Sequence, residues 1–298
     1  MALENILKCP LCGQENFRVR MTCKDHTLSN ECFTLTECAH CHFLITNPRP
    51  DANSIGKYYK SPDYISHSGS AKGIVNTCYI IARHFTLRWK LRIISRLKNP
   101  GRLLDFGCGT GEFVHLAGKK GWKAKGVEPS AYAREKAQLL NGLASIYPHQ
   151  SEIDNEHFDC ITLWHVLEHV PDINATLNKL KQSLSPNGLI FVAVPNHLSE
   201  DSKIYGETWA GYDVPRHFWH FTQATMEQLM DNHALKIKQI LPMRLDAYYV
   251  SLLSEKYRNN KSLSLLAYCR ALVNGYLSNR KAKTGKDYSS LIYIAAHA

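Results

Sequence analysis

The sequence predicts a doubly wound α/β sheet preceded by a small cysteine-bearing domain. From residue 102 onward, short apolar runs alternate with segments of helical periodicity, which is typical of a parallel sheet with helices on both faces. Before it, two C-x-x-C pairs fall within the first 41 residues, a stretch too short to bury a core of its own. The chain has 298 residues, which is enough for one large and one small domain.

The first element is a cysteine site with metal-ligand spacing. Cys9-Pro-Leu-Cys12 and Cys38-Ala-His-Cys41 can each aim two thiolates from a tight turn, and together they close a tetrahedral S4 shell. We therefore expect a structural Zn²⁺ and a zinc ribbon over residues 1–48. A redox C-x-x-C is the alternative, although redox chemistry needs only one such pair. Four nearby side chains are interpreted as bystanders: Cys23, Cys32, His40 and His42.

A glycine-rich turn follows the next apolar run. Residues 102–106 read as a buried strand, Gly107-Cys108-Gly109-Thr110-Gly111 as a turn, and residues 112–120 as a helix. The spacing G-x-G-x-G differs from the G-x-G-x-x-G that cradles a pyrophosphate. A second strand over 122–127 ends at Glu128, about 20 residues past the glycines, where an acid can accept hydrogen bonds from ribose hydroxyls.

The alternation of strands and helices continues to the end of the chain. Ser130 and Thr222 are expected to cap helices, because serine and threonine side chains accept hydrogen bonds from the first free backbone N–H groups. The remaining predicted elements are a helix over 130–141, strands over 144–147, 158–163 and 189–194, a helix over 172–183, a helix after Thr222, and strands over 235–241 and 290–296.

These segments resemble a known family. Residues 103–111 and 158–170 are similar to the first motif and the fourth-strand segment of class I S-adenosylmethionine-dependent methyltransferases. Residues 38–59 and 214–222 resemble a bacterial subgroup with an N-terminal zinc ribbon, methyltransferase-23-like. The resemblance implies a seven-stranded Rossmann-like sheet whose last strand is antiparallel. The methyltransferase domain would cover residues 99–298, after a helical linker over 49–98.

The resemblance also implies the cofactor contacts. S-adenosylmethionine would lie over the glycine turn, with its ribose on Glu128 and its methionine end near Asp105. The chain departs from the family at residues 147–151, where the family often has an acid near the adenine. The expected cofactor-binding residues are Asp105, Gly107, Cys108, Gly109, Gly111, Glu128, Pro129, Trp164 and His165.

The methyl acceptor is expected beyond the carboxyl ends of the strands, under a long aromatic-rich loop over 196–221. A hydroxyl acceptor is helped by a general base, and His165, His217 and His220 are the candidates. Each of them has the alternative role of a hydrogen-bonded structural histidine. His165-x-x-Glu168-His169 also matches a zinc-protease pattern, which its position just after a core strand argues against. A divalent metal shared by these three residues is a further alternative, as is a Glu168 that only ties down a loop.

Charge leaves several partners open. The net charge is +10, and basic residues concentrate at 83–102 and 256–286. They are either solvated helix faces or an attraction to an anionic partner. The segment at about 243–288, before the last strand, has helical apolar spacing. It is expected to pack on the core or to form a cap or docking face for substrate, a second subunit or a membrane surface.

The function predicted is methyl transfer to oxygen, or secondly to carbon, of a small molecule or a sugar or glycan-pathway intermediate. One alternative is an RNA methyltransferase that uses the ribbon and the basic surface. The other is a non-catalytic cofactor-binding protein that kept the fold. With no apolar run of spanning length and no export signal in the sequence, we expect a cytoplasmic transferase; peripheral membrane contact and the oligomeric state stay open.

Overall fold

A computed structural model describes residues 3–59, 74–153, 156–259 and 263–298. The N-terminal part is a small antiparallel ribbon. Strands β2, β3 and β4 pair in that order, and β1 pairs with β5. The bounds of the strands are β1 Leu3–Glu4, β2 Phe17–Lys24, β3 Cys32–Cys38, β4 Leu44–Thr46 and β5 Arg49–Pro50.

The rest of the chain builds one seven-stranded sheet, as predicted. Its order is β12-β13-β10-β9-β6-β7-β8, and β13 runs antiparallel to both of its neighbours. The other pairings are parallel. Its strands are β6 Arg102–Phe106, β7 Lys123–Val127, β8 Ile146–Tyr147, β9 Phe158–Trp164, β10 Leu184–Pro195, β12 Leu235–Pro242 and β13 Ser290–His297, and β11 Trp219–His220 lies outside it.

Helices cover both faces of this sheet. Ser130 and Thr222 cap their helices as predicted, each accepting a hydrogen bond from the backbone three residues on. The third strand begins at Ile146 and not at 144, because residues 143–145 form a 3-10 turn. The helices are α1 Ile74–Leu97, α2 Glu112–Lys119, α3 Ala131–Asn141, α4 Ile173–Gln182, α5 Glu200–Tyr205, α6 Gln223–Asn232, α7 Asp246–Arg258 and α8 Leu265–Gly285.

The ribbon and the large sheet share structure. Strand β11, from the long loop after β10, pairs with β4 and so extends the ribbon sheet with a piece of the large domain. The Arg49 guanidinium lies 4.4 Å from the ring centre of Phe218 and 4.6 Å from that of Trp219. Buried Cys9 and Phe43 belong to the same apolar core as β9 and β10. The ribbon is therefore packed as one layer of the body.

The segment before the last strand forms α7 and α8, which pack on each other and on α5. Buried hydrogen bonds fix the packing: the Ser278 hydroxyl donates to Asp201 at 2.6 Å, and Arg270 donates to buried Glu255 at 3.0 Å. Within the described ranges, no helix combines the length and the apolar character that a bilayer crossing requires.

Candidate active site

A cleft of about 650 Å³ opens at the carboxyl end of β6. Its floor is the predicted glycine turn, from Gly107 to Thr110, and its rim comes from α1, α7 and α8. The two helices of the segment before the last strand therefore cover the cleft. Among the predicted cofactor residues, this cleft is lined by Asp105, Gly107, Cys108, Gly109 and Trp164.

The three glycines of the turn all have positive φ, but the space around their Cα atoms differs. A Cβ at Gly107 would stand 2.5 Å from a methyl of Val166, and one at Gly111 would stand 2.5 Å from the Asn141 side chain. A Cβ at Gly109 would meet no atom within 4 Å among the described residues. Gly107 and Gly111 therefore permit close packing, whereas Gly109 faces open space where a ligand can approach the backbone.

Asp105 sits at the end of β6 with 3% of its surface exposed. Thr162 donates a 2.6 Å hydrogen bond to its carboxylate. Burial is the main cause that raises the pKa of Asp105 to about 7, against the lowering effects of Thr162 and of the Lys90 charge. A buried carboxyl with such a pKa is a natural partner for a cation, because a positive charge beside it would favour its ionised form.

Glu128 follows β7 and is held by the glycine turn itself. Its two oxygens accept hydrogen bonds from the backbone N–H groups of Gly109, at 2.9 Å, and Ser130, at 2.8 Å. Burial raises its pKa, although these two hydrogen bonds act in the opposite direction. Each carboxylate oxygen keeps a lone pair for a further donor. Pro129 is exposed, and its carbonyl accepts a hydrogen bond from Arg134.

Trp164 forms one side of the cleft. Lys90 lies 4.5 Å from the centre of its ring, and its indole Nε1 is buried with no hydrogen-bond partner in the described structure. Burial raises the pKa of the Cys108 thiol, which leaves it a neutral lining group.

A second cavity, of about 390 Å³, adjoins the cleft. The two share the side chains of Thr86, Lys90, Asp246 and Tyr249. Two of the three predicted base candidates, His165 and His217, line the second cavity. A molecule placed there would therefore lie directly beside one bound in the cleft.

His165 is held between two acids. Its ring nitrogens lie 3.3 Å from Glu168 Oε1 and 3.0 Å from Asp246 Oδ2. Burial disfavours the charged ring, but the hydrogen bonds to Asp246 and Glu168 outweigh it and raise the pKa of His165 to about 9. An imidazolium cannot accept a proton, so this geometry argues against His165 as the base and gives it the role of a fixed positive charge.

His217 is oriented differently. Its Nδ1 lies 2.9 Å from the carbonyl of Gly211, which fixes the proton on Nδ1 and leaves Nε2 as an acceptor. Asp213 Oδ2 lies 4.0 Å from that Nε2. Burial works against the charge of Asp213, but Arg216 outweighs it and lowers the pKa of Asp213 to about 2. A carboxylate therefore stands where it can stabilise a proton gained by His217.

His220 lies in β11, inside the sheet shared with the ribbon, and lines neither cavity. The Thr46 hydroxyl donates to the carbonyl of His217 at 2.6 Å, so it accepts from His220 Nε2, at 3.0 Å. Burial lowers the pKa of His220 well below its usual value. His220, predicted as a base candidate, therefore lies in the shared sheet and apart from both cavities.

A group of possible metal ligands lies around His217, which is its one member that lines the second cavity. Ligand atoms of Glu168, His169 and His217 all lie within 4.8 Å of one another. Glu168 is fully buried, and its Oε2 has no hydrogen-bond partner in the described structure. The sequence suggested a metal shared by His165, Glu168 and His169. In the structure His217, and not His165, groups with Glu168 and His169, and both ring nitrogens of His165 face carboxylates, those of Glu168 and Asp246.

The four predicted cysteine ligands also come together. Their Sγ atoms lie within 4.8 Å of one another, with Cys9 and Cys41 3.5 Å apart and Cys12 and Cys38 3.5 Å apart. A tetrahedron with Zn–S bonds of about 2.3 Å has sulfurs about 3.8 Å apart, so the arrangement fits Zn²⁺. Cys23, Cys32, His40 and His42 lie outside this group.

Several residues of the second cavity have no signal in the sequence. Asp213 and Asp246 contact the two histidines, but neither belongs to a motif that the sequence analysis singled out. His26 and Thr27, from the ribbon, also line the cavity. The only hint was the D-x-x-R-H spacing of residues 213–217, which places one acid beside Arg216 and His217.

Sequence comparison gives the following relatives. Residues 80–240, more than half of the chain, match the family described as "Methyltransferase domain". A ubiquinone biosynthesis O-methyltransferase from Rhodopseudomonas palustris (strain TIE-1) is 32% identical over 152 residues, which are 47% of this chain and 58% of that protein. One from Pasteurella multocida (strain Pm70) is 31% identical over 114 residues, 32% of this chain and 46% of that protein. The chain spans about half the length of these curated relatives.

Solved structures show the same fold. Magnesium protoporphyrin IX methyltransferase from Synechocystis PCC 6803, with bound SAH, aligns with a TM-score of 0.54 at 12% identity, over 83% of this chain and 100% of that one. Geranyl diphosphate C-methyltransferase from Streptomyces coelicolor A3(2), in complex with Mg²⁺, geranyl diphosphate and S-adenosyl-L-homocysteine, aligns with a TM-score of 0.50 at 14% identity, over 77% and 86%.

Proposed function

Because this chain belongs to the methyltransferase family that residues 80–240 match, we propose that it transfers a methyl group from S-adenosylmethionine to a hydroxyl oxygen of a small molecule. One observation carries the proposal. The cleft over the glycine turn adjoins a second cavity that presents His217 Nε2 as a proton acceptor. The two reactants can therefore lie side by side, and proximity supplies a large part of the rate enhancement.

The cleft suits S-adenosylmethionine, whose sulfonium carries the methyl group and activates it by its charge. Glu128 would accept from the ribose hydroxyls, and Asp105 would face the cationic methionine end. Gly109 leaves room for close approach to the backbone. Trp164 would pack against the cofactor as one side of the cleft. His165 is proposed to act on the acceptor side and not on the cofactor, since it lines the second cavity.

The second cavity suits a phenolic acceptor. The acceptor nitrogen of His217 takes a proton far more easily from a phenol, with a pKa of about 10, than from an alcohol. Met243, Val250 and Leu253 give the cavity an apolar wall, and the His165 imidazolium would stabilise a phenolate. The relatives from Rhodopseudomonas and Pasteurella, which are O-methyltransferases of ubiquinone biosynthesis, support an oxygen acceptor.

The group of Glu168, His169 and His217 supports a second version of the same reaction. In it, a divalent cation held by Glu168, His169 and His217 would orient the acceptor oxygen and lower the pKa of its hydroxyl. The unpartnered Glu168 Oε2 favours this version. Added Mg²⁺ or Mn²⁺ would then raise the rate of wild type but not of Glu168→Gln. A rate independent of these ions, with zinc retained in the ribbon, would leave the base-only version.

We propose that the ribbon cysteines hold one structural Zn²⁺. Their spacing leaves no open coordination position, so the ion would stabilise the fold and take no part in the chemistry. Elemental analysis of the purified protein should find one zinc per chain. Cys38→Ser should lose most of that zinc and lower the Tm, and Cys32→Ser, which changes an exposed thiol outside the group, should do neither.

The function is tested with S-adenosylmethionine labelled in its methyl group. We expect wild type to label protocatechuate, a ring with two hydroxyls and a carboxylate, and to label uridine diphosphate-glucose and tRNA far less. Preferential labelling of the sugar nucleotide would replace the phenolic acceptor with a sugar hydroxyl. Salt-sensitive labelling of tRNA would favour the RNA alternative. Cofactor binding with no transfer to any of the three would contradict the proposal and support a binding protein.

A further inference from the structure

We propose that the hairpin turn of the N-terminal ribbon, residues 25–29, is one wall of the acceptor site and that His26 helps to select the acceptor. This inference rests on the proposed function, because it takes the second cavity as the acceptor site. Two residues of the turn, His26 and Thr27, line that cavity. The ribbon would then contribute to substrate recognition as well as to the stability of the fold.

The turn between β2 and β3 is held in one shape by Asp25. Its carboxylate accepts hydrogen bonds from the backbone N–H groups of Thr27, Leu28 and Ser29, at 3.0, 3.2 and 2.8 Å. The Ser29 hydroxyl donates a further hydrogen bond at 2.8 Å. Asp25 is 1% exposed, so these bonds are shielded from water. A turn fixed in this way can present side chains in a defined position without ligand.

The turn meets helix α7 across the cavity wall. The rings of His26 and Tyr257 stack with centres 4.8 Å apart and an angle of 10° between their planes. The hydroxyls of Thr27 and Tyr257 lie 3.2 Å apart. Tyr257 lines the same cavity. The stacked pair therefore offers an aromatic surface, against which a flat ring packs better than a sugar does.

One buried guanidinium joins the turn to the proposed base. Arg216 is 1% exposed and donates to Asp25 at 2.9 Å and to Asp213 at 2.6 Å. Asp213 is the carboxylate 4.0 Å from His217 Nε2. The ribbon turn and the acid beside His217 are thus fixed by the same side chain. A displaced turn would disturb the acceptor site while leaving the glycine turn of the cofactor cleft in place.

The cysteine cluster lies at the opposite end of the same hairpin. Strand β2 has eight residues, so about 26 Å of paired strand separates the two ends. Zinc at the cysteines would fix the ribbon from which the turn projects. This arrangement would give the zinc-bearing N-terminal domain a role at the acceptor site, although the domain does not line the cofactor cleft.

The first test measures methylation of protocatechuate by His26→Ala. We expect the acceptor KM to rise about three- to tenfold, the effect of losing one stacking contact, with kcat and the S-adenosylmethionine Kd close to wild type. The matched control is Leu28→Ala, a change on the same turn at a residue outside both cavities. An unchanged acceptor KM in His26→Ala, or an equal rise in Leu28→Ala, would overturn the proposal.

A second test needs no acceptor. Diethyl pyrocarbonate modifies neutral imidazoles, and mass spectrometry reports the rate at His217 through the open cavity. Thr27→Trp should narrow the cavity and slow this modification at least fivefold, and Leu28→Trp should leave it unchanged. Equal rates of His217 modification in wild type and Thr27→Trp would contradict the proposal that the ribbon turn forms a wall of the cavity. If wild type does not methylate protocatechuate but Thr27→Trp slows the modification of His217, the proposed acceptor class is wrong. The proposal that the ribbon turn forms a wall of the cavity is then still supported.

Discussion

The two cavities of this protein are assembled in opposite ways. The floor of the cofactor cleft comes from one short stretch, residues 105–110, and Glu128 follows on the next strand. The second cavity gathers residues 26–27, 86–90, 165, 195, 210–217, 243–257 and 290. A floor built on one strand–turn–helix unit carries a local sequence pattern, whereas a site built from seven separate segments carries no single one. The cofactor could therefore be anticipated from the sequence and the acceptor could not.

Their electrostatics differ as well. Two buried acids, Asp105 in the lining of the cleft and Glu128 against its glycine turn, would favour cations and hydroxyl donors there. The second cavity holds a protonated histidine, His165, beside a histidine with a free acceptor nitrogen, His217. Changes at residues that line only one cavity should therefore leave the other cavity functional, and this separation can be tested.

The largest effect is expected from His217→Gln. Loss of a general base typically lowers kcat by about 10²- to 10⁴-fold, and the Kd of S-adenosylmethionine should not change because His217 does not line the cleft. Single-turnover methylation and calorimetry measure the two quantities. The control is His220→Gln, which alters a histidine of the shared sheet. A similar loss of kcat in a folded His220→Gln would contradict the assignment of the general base to His217.

Glu128→Ala should act on the cleft alone. Losing a charged acceptor of the ribose hydroxyls should weaken S-adenosylmethionine binding about 10- to 100-fold by calorimetry. Modification of His217 by diethyl pyrocarbonate should keep its rate. Glu156→Ala is the matched control, since Glu156 pairs with Lys125 and Arg102 away from the cleft. If Glu128→Ala binds S-adenosylmethionine as tightly as wild type does, the proposed contact between Glu128 and the ribose is wrong.

The affinity for S-adenosylmethionine should rise with pH. Asp105 has a raised pKa of about 7, so its ionised fraction grows from about a tenth at pH 6 to about nine-tenths at pH 8. A cationic ligand binds the ionised form, and the Kd should fall about tenfold across this window. Calorimetry at a series of pH values measures it. A flat profile is expected for Asp105→Asn, and a flat profile in wild type would speak against the contact.

The smallest effects separate two glycines of one turn. Gly109→Ala should weaken S-adenosylmethionine binding several-fold, because the added methyl group would occupy space that the ligand needs. It would not contact other protein atoms among the described residues. Gly107→Ala should lower the free energy of unfolding by about 1–3 kcal/mol more than Gly109→Ala, since its methyl overlaps Val166. Both share the strain of a positive φ. Chemical denaturation and calorimetry would reveal any reversal of this order.

Local sequence patterns were enough to predict much of the fold. The alternation of apolar runs and helical segments predicted the seven strands to within a few residues, and Ser130 and Thr222 cap the helices expected of them. The strand at 144–147 was overestimated because its first two residues form a 3-10 turn. Edge strands are short, and a pattern of four residues does not distinguish a turn from a strand.

The sequence by itself determined the family, the glycine turn with its acid and the four clustered cysteines, because each depends on residues that are close in the chain or share a spacing. Only the tertiary structure decided which histidine can accept a proton. His165 and His217 look equivalent in sequence, yet Asp246 and Glu168 hold the charge on one, and the Gly211 carbonyl fixes the tautomer of the other. Protonation depends on neighbours brought from up to 81 residues away, and folding alone supplies them.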